Sequence, residues 1–481
     1  MVFISFYFYL FLAAVIIAYY IIPVKFRWYI LLLASFSFYW YMSLYSWQKF
    51  FALTGTALVC WFLSKFMERG HKRRNICLII SVSCTAIPLL IVKESPFITV
   101  ITHKTIPDRL FVPVGIAFYS MQLIAYVVDV YNNKIESEKN CLKFLLFAGW
   151  FPQIIQGPIP RYAQLSHQLS EGHKFDERKF VKGFMLILWG FFLKLCVADK
   201  AGVFVDNVFD NFPTYRGSFV LVAGILYSFQ LYADFLACTS LAQGISELFC
   251  IDLADNFNHP YFSTSVKDFW HRWHISLSTW LKDYIYIPLG GNRKGKARKY
   301  LNLLATFAVS GIWHGSGYKF LFWGLLHGLY QILGEIMIPF KNIIDKSLYL
   351  NDHPYFRDFC KKIFTFFIVM LAWIIFRADH LTTGLSMIKS IFTVYNPWIF
   401  TNDGLFELGL CWKEFILLIF CLLTLLTVSR KQENGIKIRD RILECNLFTR
   451  WFLYIGTIIF ILIFGTYGYG FNAKDFIYGG F

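Results

Sequence analysis

Residues 3–22 read FISFYFYLFLAAVIIAYYII, with no charged side chain. An α-helix of about 20 residues rises about 30 Å, the thickness of a bilayer's hydrocarbon core. Inside that core every backbone N–H and C=O must be satisfied by the segment itself, and a helix does this. Apolar blocks of the same kind recur at residues 28–44, 50–63, 76–92, 112–130, 184–197, 219–235, 364–376, 415–428 and 451–464. The shorter ones extend into their flanks, re-enter from one face, or pack inside a bundle. The whole chain agrees: 57% of its residues are hydrophobic and only 16% are charged, against about 25% charged in soluble proteins. The expectation is an all-α polytopic integral membrane protein with about ten to twelve transmembrane helices. No basic run precedes residues 3–22, and Tyr19-Tyr20-Ile21-Ile22-Pro23 is no small-residue cleavage site, so this block is expected to remain as the first span.

The formal net charge is +16, from 46 Lys and Arg against 30 Asp and Glu. The basic residues cluster at 65–74, at 293–299, and at Arg430, Lys431, Lys437, Arg439 and Arg441. Short basic loops beside spans stay in the cytoplasm. Placing residues 65–74 inside also places Lys25 and Arg27 inside, and the N-terminus then faces out. Topology and attraction to anionic lipid account for these clusters. Nucleic-acid binding is excluded, because no soluble domain presents such a surface. Eleven cysteines lie mostly in apolar blocks and form no CxxC pair, so they read as small buried hydrophobes.

There is no internal repeat and no long polar linker. Residues 161–182 and 341–362 are the longest polar stretches, each long enough for an interfacial helix. The chain is expected to be one membrane-embedded domain over residues 1–481, so chemistry must come from groups in or beside the bilayer. The richest region, residues 256–328, opens NFNHPYFSTSVKDFWHRWHISLSTWLKDYIYIPLGGNRKGKARKY. Phe269, Trp270, Trp273, Leu277, Trp280 and Leu281 recur at helical spacing among charged residues, the pattern of an interfacial or re-entrant helix. Turn chemistry at Pro288-Leu-Gly-Gly-Asn292 ends it. Residues 309–324, VSGIWHGSGYKFLFWG, place His314 among Gly311, Gly315 and Gly317 in an otherwise apolar run.

Of eleven histidines, His71, His103, His167, His173, His353 and His380 lie in polar sequence, and His259 precedes a proline in a turn. The informative ones are His271, His274, His314 and His327. An ionisable residue at membrane depth is costly and marks function by default. Glycines beside His314 let a backbone or a substrate approach closely. A buried neutral imidazole can serve as a general base toward a hydroxyl; a structural histidine bonded to a neighbouring helix fits the same residues. His271 and His274, three apart, share one face of a continuous helix and suggest a metal pair, but no third ligand follows. No metal site is expected. Asp283 beside Lys282 reads as a local ion pair, and Asp268 and Glu335 are the other nearby carboxylates. No GxSxG and no GxxxxGK[ST] occurs, so an elbow-type serine hydrolase and a P-loop ATPase find no support.

The run DFWHRWHISLSTWLKDYIYIPLGGNRKG (residues 268–295), followed by SGIWHGSGYKFLFWGLLHG (residues 310–328), resembles the membrane-bound O-acyltransferase family, and within it the branch of bacterial alginate O-acetylation proteins. Weaker echoes are the N-terminal block, VGIAFYSMQLIAYVVDVY, FPQIIQGPIPR and the closing FIYGGF. The resemblance implies a ring of spans with re-entrant helices and a central tunnel. It implies His314, in Trp-His-Gly, as the catalytic residue and His274 as the second polar position, with 40 residues between them. His271 stands where relatives often carry arginine and is left out of the site; His327 is assigned packing or cavity lining.

The implied activity is O-acyl transfer, with acetyl the expected group, from a cytoplasmic thioester toward an extracytoplasmic polysaccharide hydroxyl. Acetyl-CoA or another acyl thioester is the donor, and no tightly bound cofactor is expected. Residues 293–299 would attract an anionic donor on the cytoplasmic side. A separate extracytoplasmic polysaccharide-modifying protein is the implied partner, and a bacterial inner membrane the implied location. His314 would act as base, or as nucleophile through an acyl-histidine. The nearest alternative is D-alanyl transfer to teichoic acid from a carrier-protein thioester. Alternatives of other classes are a lipid-linked sugar transporter, a partner scaffold and a metal-dependent desaturase.

Overall fold

The computed structural model describes residue 3 and residues 5–67, 72–102 and 113–467, with side chains of 93–102 left aside. His71, His103 and the closing residues 476–481 lie outside the described residues. Helices dominate, and no strand occurs among the described residues. The contacts divide the described residues into two compact units: residues up to 190 with 238–255, and residues 191–237 with 256–467.

The first unit holds α1 (Phe6–Ile21), α2 (Arg27–Met42), α3 (Trp47–Ser64), α4 (Arg74–Thr102), α5 (Ile116–Tyr131), α6 (Cys141–Gly149), α7 (Tyr162–Glu171) and α8 (Glu177–Phe191). In α1 the buried residues Phe8, Leu12, Val15 and Tyr19 recur at helical spacing and form one stripe. The opposite face stays apolar and outward: Phe6 is 71% and Ile21 76% exposed. An apolar outer face is what a helix bordered by lipid requires. Arg27 is buried at the α1–α2 turn. Its guanidinium donates to the carbonyls of Ile22 and Tyr20, at 2.9 and 3.1 Å, and to that of His173. The first two bonds satisfy carbonyls at the C-terminal end of α1.

The second unit begins with a π-helical turn, Phe192–Ala198, and continues with α9 (Asp199–Asp210). Residues 218–237 belong to α10 (Ser218–Glu247). Then follow α11 (Val266–Arg272), α12 (Ile275–Leu281), a second π turn (Lys282–Tyr286), α13 (Gly295–His314), α14 (Tyr318–Ile336), α15 (Ile338–Ser347), α16 (Pro354–Arg377), α17 (Leu381–Thr393), α18 (Trp412–Glu433), α19 (Ile438–Glu444) and α20 (Leu447–Phe464). At the first π turn Lys194 Nζ meets Asp234 Oδ1 at 2.7 Å and Asp199 Oδ1 at 2.9 Å, all three side chains buried. Charges taken out of water this way persist only when they meet such partners.

All ten apolar blocks fall on helices, and the chain is a multi-pass membrane protein. Of the ten to twelve spans expected, length and composition identify six or more among the described residues. Among the described residues six helical runs are long and apolar enough to cross: Arg74–Val92, Glu177–Asp210, Ser218–Glu247, Pro354–Arg377, Trp412–Glu433 and Leu447–Phe464. The pair α14 and α15, bent by 58°, makes a seventh if read as one broken span. The difference is one of length. α1 and α5 are apolar but have 16 residues each, about 24 Å of helix against about 30 Å of hydrocarbon.

Candidate active site around His314

The expected continuous helix through residues 269–281 is broken. Ser265 caps α11, its hydroxyl accepting from the Asp268 N–H at 3.1 Å, and the helix stops at Arg272. His274 then takes the left-handed conformation, φ 44° and ψ 55°, before α12 starts. A stretched segment upstream holds the break open. The Ile275 N–H donates to the Asn256 carbonyl at 2.9 Å, the Ser276 N–H to Asn256 Oδ1 at 3.2 Å, and the Asn258 N–H to the Arg272 carbonyl at 2.9 Å. A non-glycine residue in this region carries strain that surrounding contacts must hold, and such residues gather at functional sites.

The break separates the two histidines that the sequence placed on one face. His271 is exposed, whereas His274 is fully buried. They cannot form a metal pair from a shared helical face. The His274 ring lies against Phe235 at 4.7 Å between centroids and against Trp313 at 6.0 Å. Neither of its ring nitrogens has a partner among the described residues. α11 and α12 are too short to span, and burial pushes the His274 pKa down to about 3; the ring is neutral at physiological pH.

α13 ends on His314. Gly315 is extended, and Gly317 turns left-handed at φ 86° to launch α14. Gly311 makes room for the backbone of α14 and Gly315 for a ring on it. A Cβ on Gly311 would sit 2.3 Å from the Phe320 carbonyl oxygen, and one on Gly315 2.3 Å from the Phe320 ring. Across the same seam, a Cβ on Gly324 would sit 2.2 Å from the Phe307 carbonyl oxygen. Glycine on both helices lets α13 and α14 touch backbone to backbone. That contact sets the height at which His314 meets α14.

His314 is 1% exposed. Its imidazole makes edge-to-face contacts with Trp313 at 4.8 Å, Trp323 at 5.0 Å and Phe376 at 5.6 Å. The Trp313 indole therefore touches both His314 and His274, and the two rings predicted to act together meet the same aromatic wall. His327, one helical turn beyond Trp323 on α14, is fully buried, with ring centroids 4.9 Å apart. Its Nδ1 accepts from Trp270 Nε1 at 3.2 Å. Trp373 of α16 stacks on Trp323 at 5.6 Å and 25°.

The nearby carboxylates serve structure. Asp268 Oδ1 pairs with Arg272 Nε at 2.9 Å, and Arg272 continues to Glu433 at 2.9 Å. Asp283 lies 3.9 Å from Lys282, on a partly exposed surface. Glu335 holds Lys299 at 2.5 Å. Residues 293–298 are exposed around the start of α13. Trp323, Phe376, Phe235 and Trp373 were not singled out by the sequence. Trp323 had a readable signal, four residues before His327 in helical register; Phe235 and Phe376 had none.

Residues 59–378 match MBOAT, the membrane-bound O-acyltransferase family, and this stretch contains the whole aromatic-histidine cluster. Over 304 residues the chain is 36% identical to a probable alginate O-acetylase AlgI of Pseudomonas putida, covering 63% of this chain and 58% of that protein. It is 33% identical to a peptidoglycan O-acetyltransferase of Helicobacter pylori, over 59% of this chain and 57% of that protein. A teichoic acid D-alanyltransferase of Bacillus subtilis is 26% identical, over 52% of this chain and 65% of that protein.

Proposed function

The chain belongs to the membrane-bound O-acyltransferase family, and from that premise we propose that it moves an acyl group, acetyl in the first instance, from a cytoplasmic thioester toward a hydroxyl of an extracytoplasmic polysaccharide. The observation that carries the residue assignment is the burial of His314 at the end of α13, against a Trp313 ring that also touches His274. In this reading His314 takes the proton of the acceptor hydroxyl, and the freed oxygen attacks the thioester carbonyl carbon. The carbonyl π pair moves to oxygen; when it returns, the C–S bond breaks and the thiolate leaves, taking the proton from His314. A dry aromatic surround excludes water as a competing acceptor. His274 orients the acceptor or the thioester by hydrogen bonding, for which its two unpartnered nitrogens are suited.

The donor is acetyl-CoA or another anionic acyl thioester, drawn to the exposed basic residues 293–298 from the cytoplasm. The acceptor side is completed by a separate extracytoplasmic protein that passes the group to polymer. D-alanyl transfer from a carrier-protein thioester is the second reading, favoured by the more distant teichoic acid D-alanyltransferase relatives.

The test uses inside-out membrane vesicles supplied with [14C]acetyl-CoA. Alginate oligosaccharide, peptidoglycan fragments and teichoic acid are offered in turn as acceptors, with D-alanyl carrier protein as a second donor. Wild-type protein should transfer label and His314→Ala should not, with the variant equally abundant and equally heat-stable. Retained transfer in His314→Ala would refute the assignment.

A further inference from the structure

Three nitrogens in the ring cluster that reaches His314 through Trp323 have no partner among the described residues: Trp323 Nε1, Trp373 Nε1 and His327 Nε2. All three side chains are completely buried. Their rings touch one another, with centroids at 4.9 Å for Trp323–His327, 5.6 Å for Trp323–Trp373 and 6.0 Å for His327–Trp373. Burying an N–H without an acceptor is unfavourable, and native interiors rarely tolerate it. Three together on touching rings call for a common explanation.

The chemistry of the three groups narrows what they take. An indole nitrogen can only donate. His327 Nδ1 accepts from Trp270 Nε1, so in the neutral ring the proton sits on Nε2, and that nitrogen is also a donor. The cluster is therefore three donors without an acceptor. A sugar hydroxyl must donate as well as accept, and these groups give its proton nowhere to go. A phosphate carries standing negative charge and is met by cations, whereas these rings are neutral. A carbonyl oxygen fits: it accepts only, and it becomes negative only while the acyl carbon is tetrahedral.

We propose that the N–H groups of Trp323, Trp373 and His327 form the oxyanion site of the acyl-transfer reaction, binding the thioester carbonyl oxygen beside His314. The inference rests on the acyl-transfer reading above and adds the groups that stabilise its intermediate. When the acceptor oxygen attacks, the carbonyl π pair moves onto this oxygen. The donors hold that charge until the pair returns and the thiolate departs. Fixed donors in a water-poor site need no reorganisation as charge develops, and this makes such sites effective. Trp323 touches His314 directly at 5.0 Å, so it is assigned the leading share. His327 thereby gains a catalytic role in place of packing.

The experiment removes each N–H while keeping a ring: Trp323→Phe, Trp373→Phe and His327→Phe, with His327→Gln restoring an amide N–H near the former Nε2. Acetyl-CoA is the donor, and kcat and KM are measured separately. The expected result is a fall in kcat of about 100-fold for Trp323→Phe, with KM for acetyl-CoA nearly unchanged, as for loss of one oxyanion donor. Trp373→Phe should fall less, and His327→Gln should recover part of what His327→Phe loses. If Trp323→Phe and His327→Phe both keep kcat within about threefold of wild type, the oxyanion assignment is overturned. If Trp323→Phe does not fold, His327→Phe against His327→Gln decides: equal rates overturn the proposal, and recovery by glutamine supports it. A wild-type protein that transfers no acyl group, or an active His314→Ala, would instead overturn the acyl-transfer reading itself.

Discussion

Replacing Gly324 by alanine tests how closely the α13–α14 contact governs catalysis. A Cβ at residue 324 would lie 2.2 Å from the Phe307 carbonyl oxygen and 3.1 Å from the Gly311 Cα and N. Carbon and oxygen ordinarily approach to about 3.3–3.6 Å, so the two helices must part by roughly 1 Å. His314 stands three residues past Gly311 on one side of the seam, and Trp323 adjoins Gly324 on the other. Parting the helices therefore draws apart the His314 and Trp323 rings, now 5.0 Å between centroids. A misplacement of about 1 Å at reacting groups can lower rate about 100-fold. Overpacking costs about 1–3 kcal/mol, offset by about 1 kcal/mol from alanine's better helix propensity. The net loss, at most about 2 kcal/mol by the same figures, leaves the protein folded while the active site is disturbed. Gly334→Ala in the same helix is the control, because a Cβ there meets nothing within 4 Å. The assay is kcat for acyl transfer in detergent or vesicles, beside thermal unfolding followed by tryptophan fluorescence. Gly324→Ala should lose most of its kcat with a modest fall in Tm, and Gly334→Ala should keep both. If Gly324→Ala retains wild-type kcat, the helix contact does not set the geometry of His314.

Reversing charge at Arg293, Lys294, Lys296 and Arg298 to glutamate should raise the apparent KM for acetyl-CoA, most at low salt where screening is weak, with kcat little changed; an unchanged KM at low salt would remove these residues from donor capture. Lys194→Met should lower stability by about 3–5 kcal/mol, because Asp199 and Asp234 then face each other in the interior without that cation. The double replacement Lys194→Met with Asp234→Asn should recover part of the lost Tm, and no recovery would argue that charge is not the cause. His274 is held near pKa 3, below its ordinary 6.5, by burial, so below pH 6.5 the unfolded chain binds a proton that the folded chain refuses. Its contribution to stability is present above 6.5 and lost as pH falls toward 3, at about 1.4 kcal/mol per unit. Tm should therefore fall less between about pH 7.5 and pH 5 in His274→Gln than in wild type, and equal falls would refute the buried neutral ring.

Burial within one segment was legible from residue order. Apolar runs such as 3–22 and 451–464 announce helices bordered by lipid, because a bilayer demands both length and an apolar exterior from each segment independently. The Trp-His-Gly of residues 313–315 and the Trp-His of residues 273–274 were also legible, since an ionisable ring in such surroundings is costly wherever it lies. Helical spacing misled at His271 and His274. The periodicity assumes continuous helix, and the break at His274 is made by bonds from Asn256 and Asn258, outside that window. Glycines near His314 mark close approach, and the structure supplies the groups that approach: the Phe320 backbone at Gly311 and the Phe320 ring at Gly315.

The sequence by itself determined the class of the protein, its helices, and which histidines lie in apolar surroundings. Only the tertiary structure decided that His274 and His314 share the Trp313 wall, that Phe235 closes on His274 and Phe376 on His314, and that the rings of Trp323, Trp373 and His327 meet in one buried cluster. The physical reason is range. Hydropathy and helical period are properties of neighbouring residues, whereas a ring contact or an unmet hydrogen bond depends on what distant segments bring to the same place.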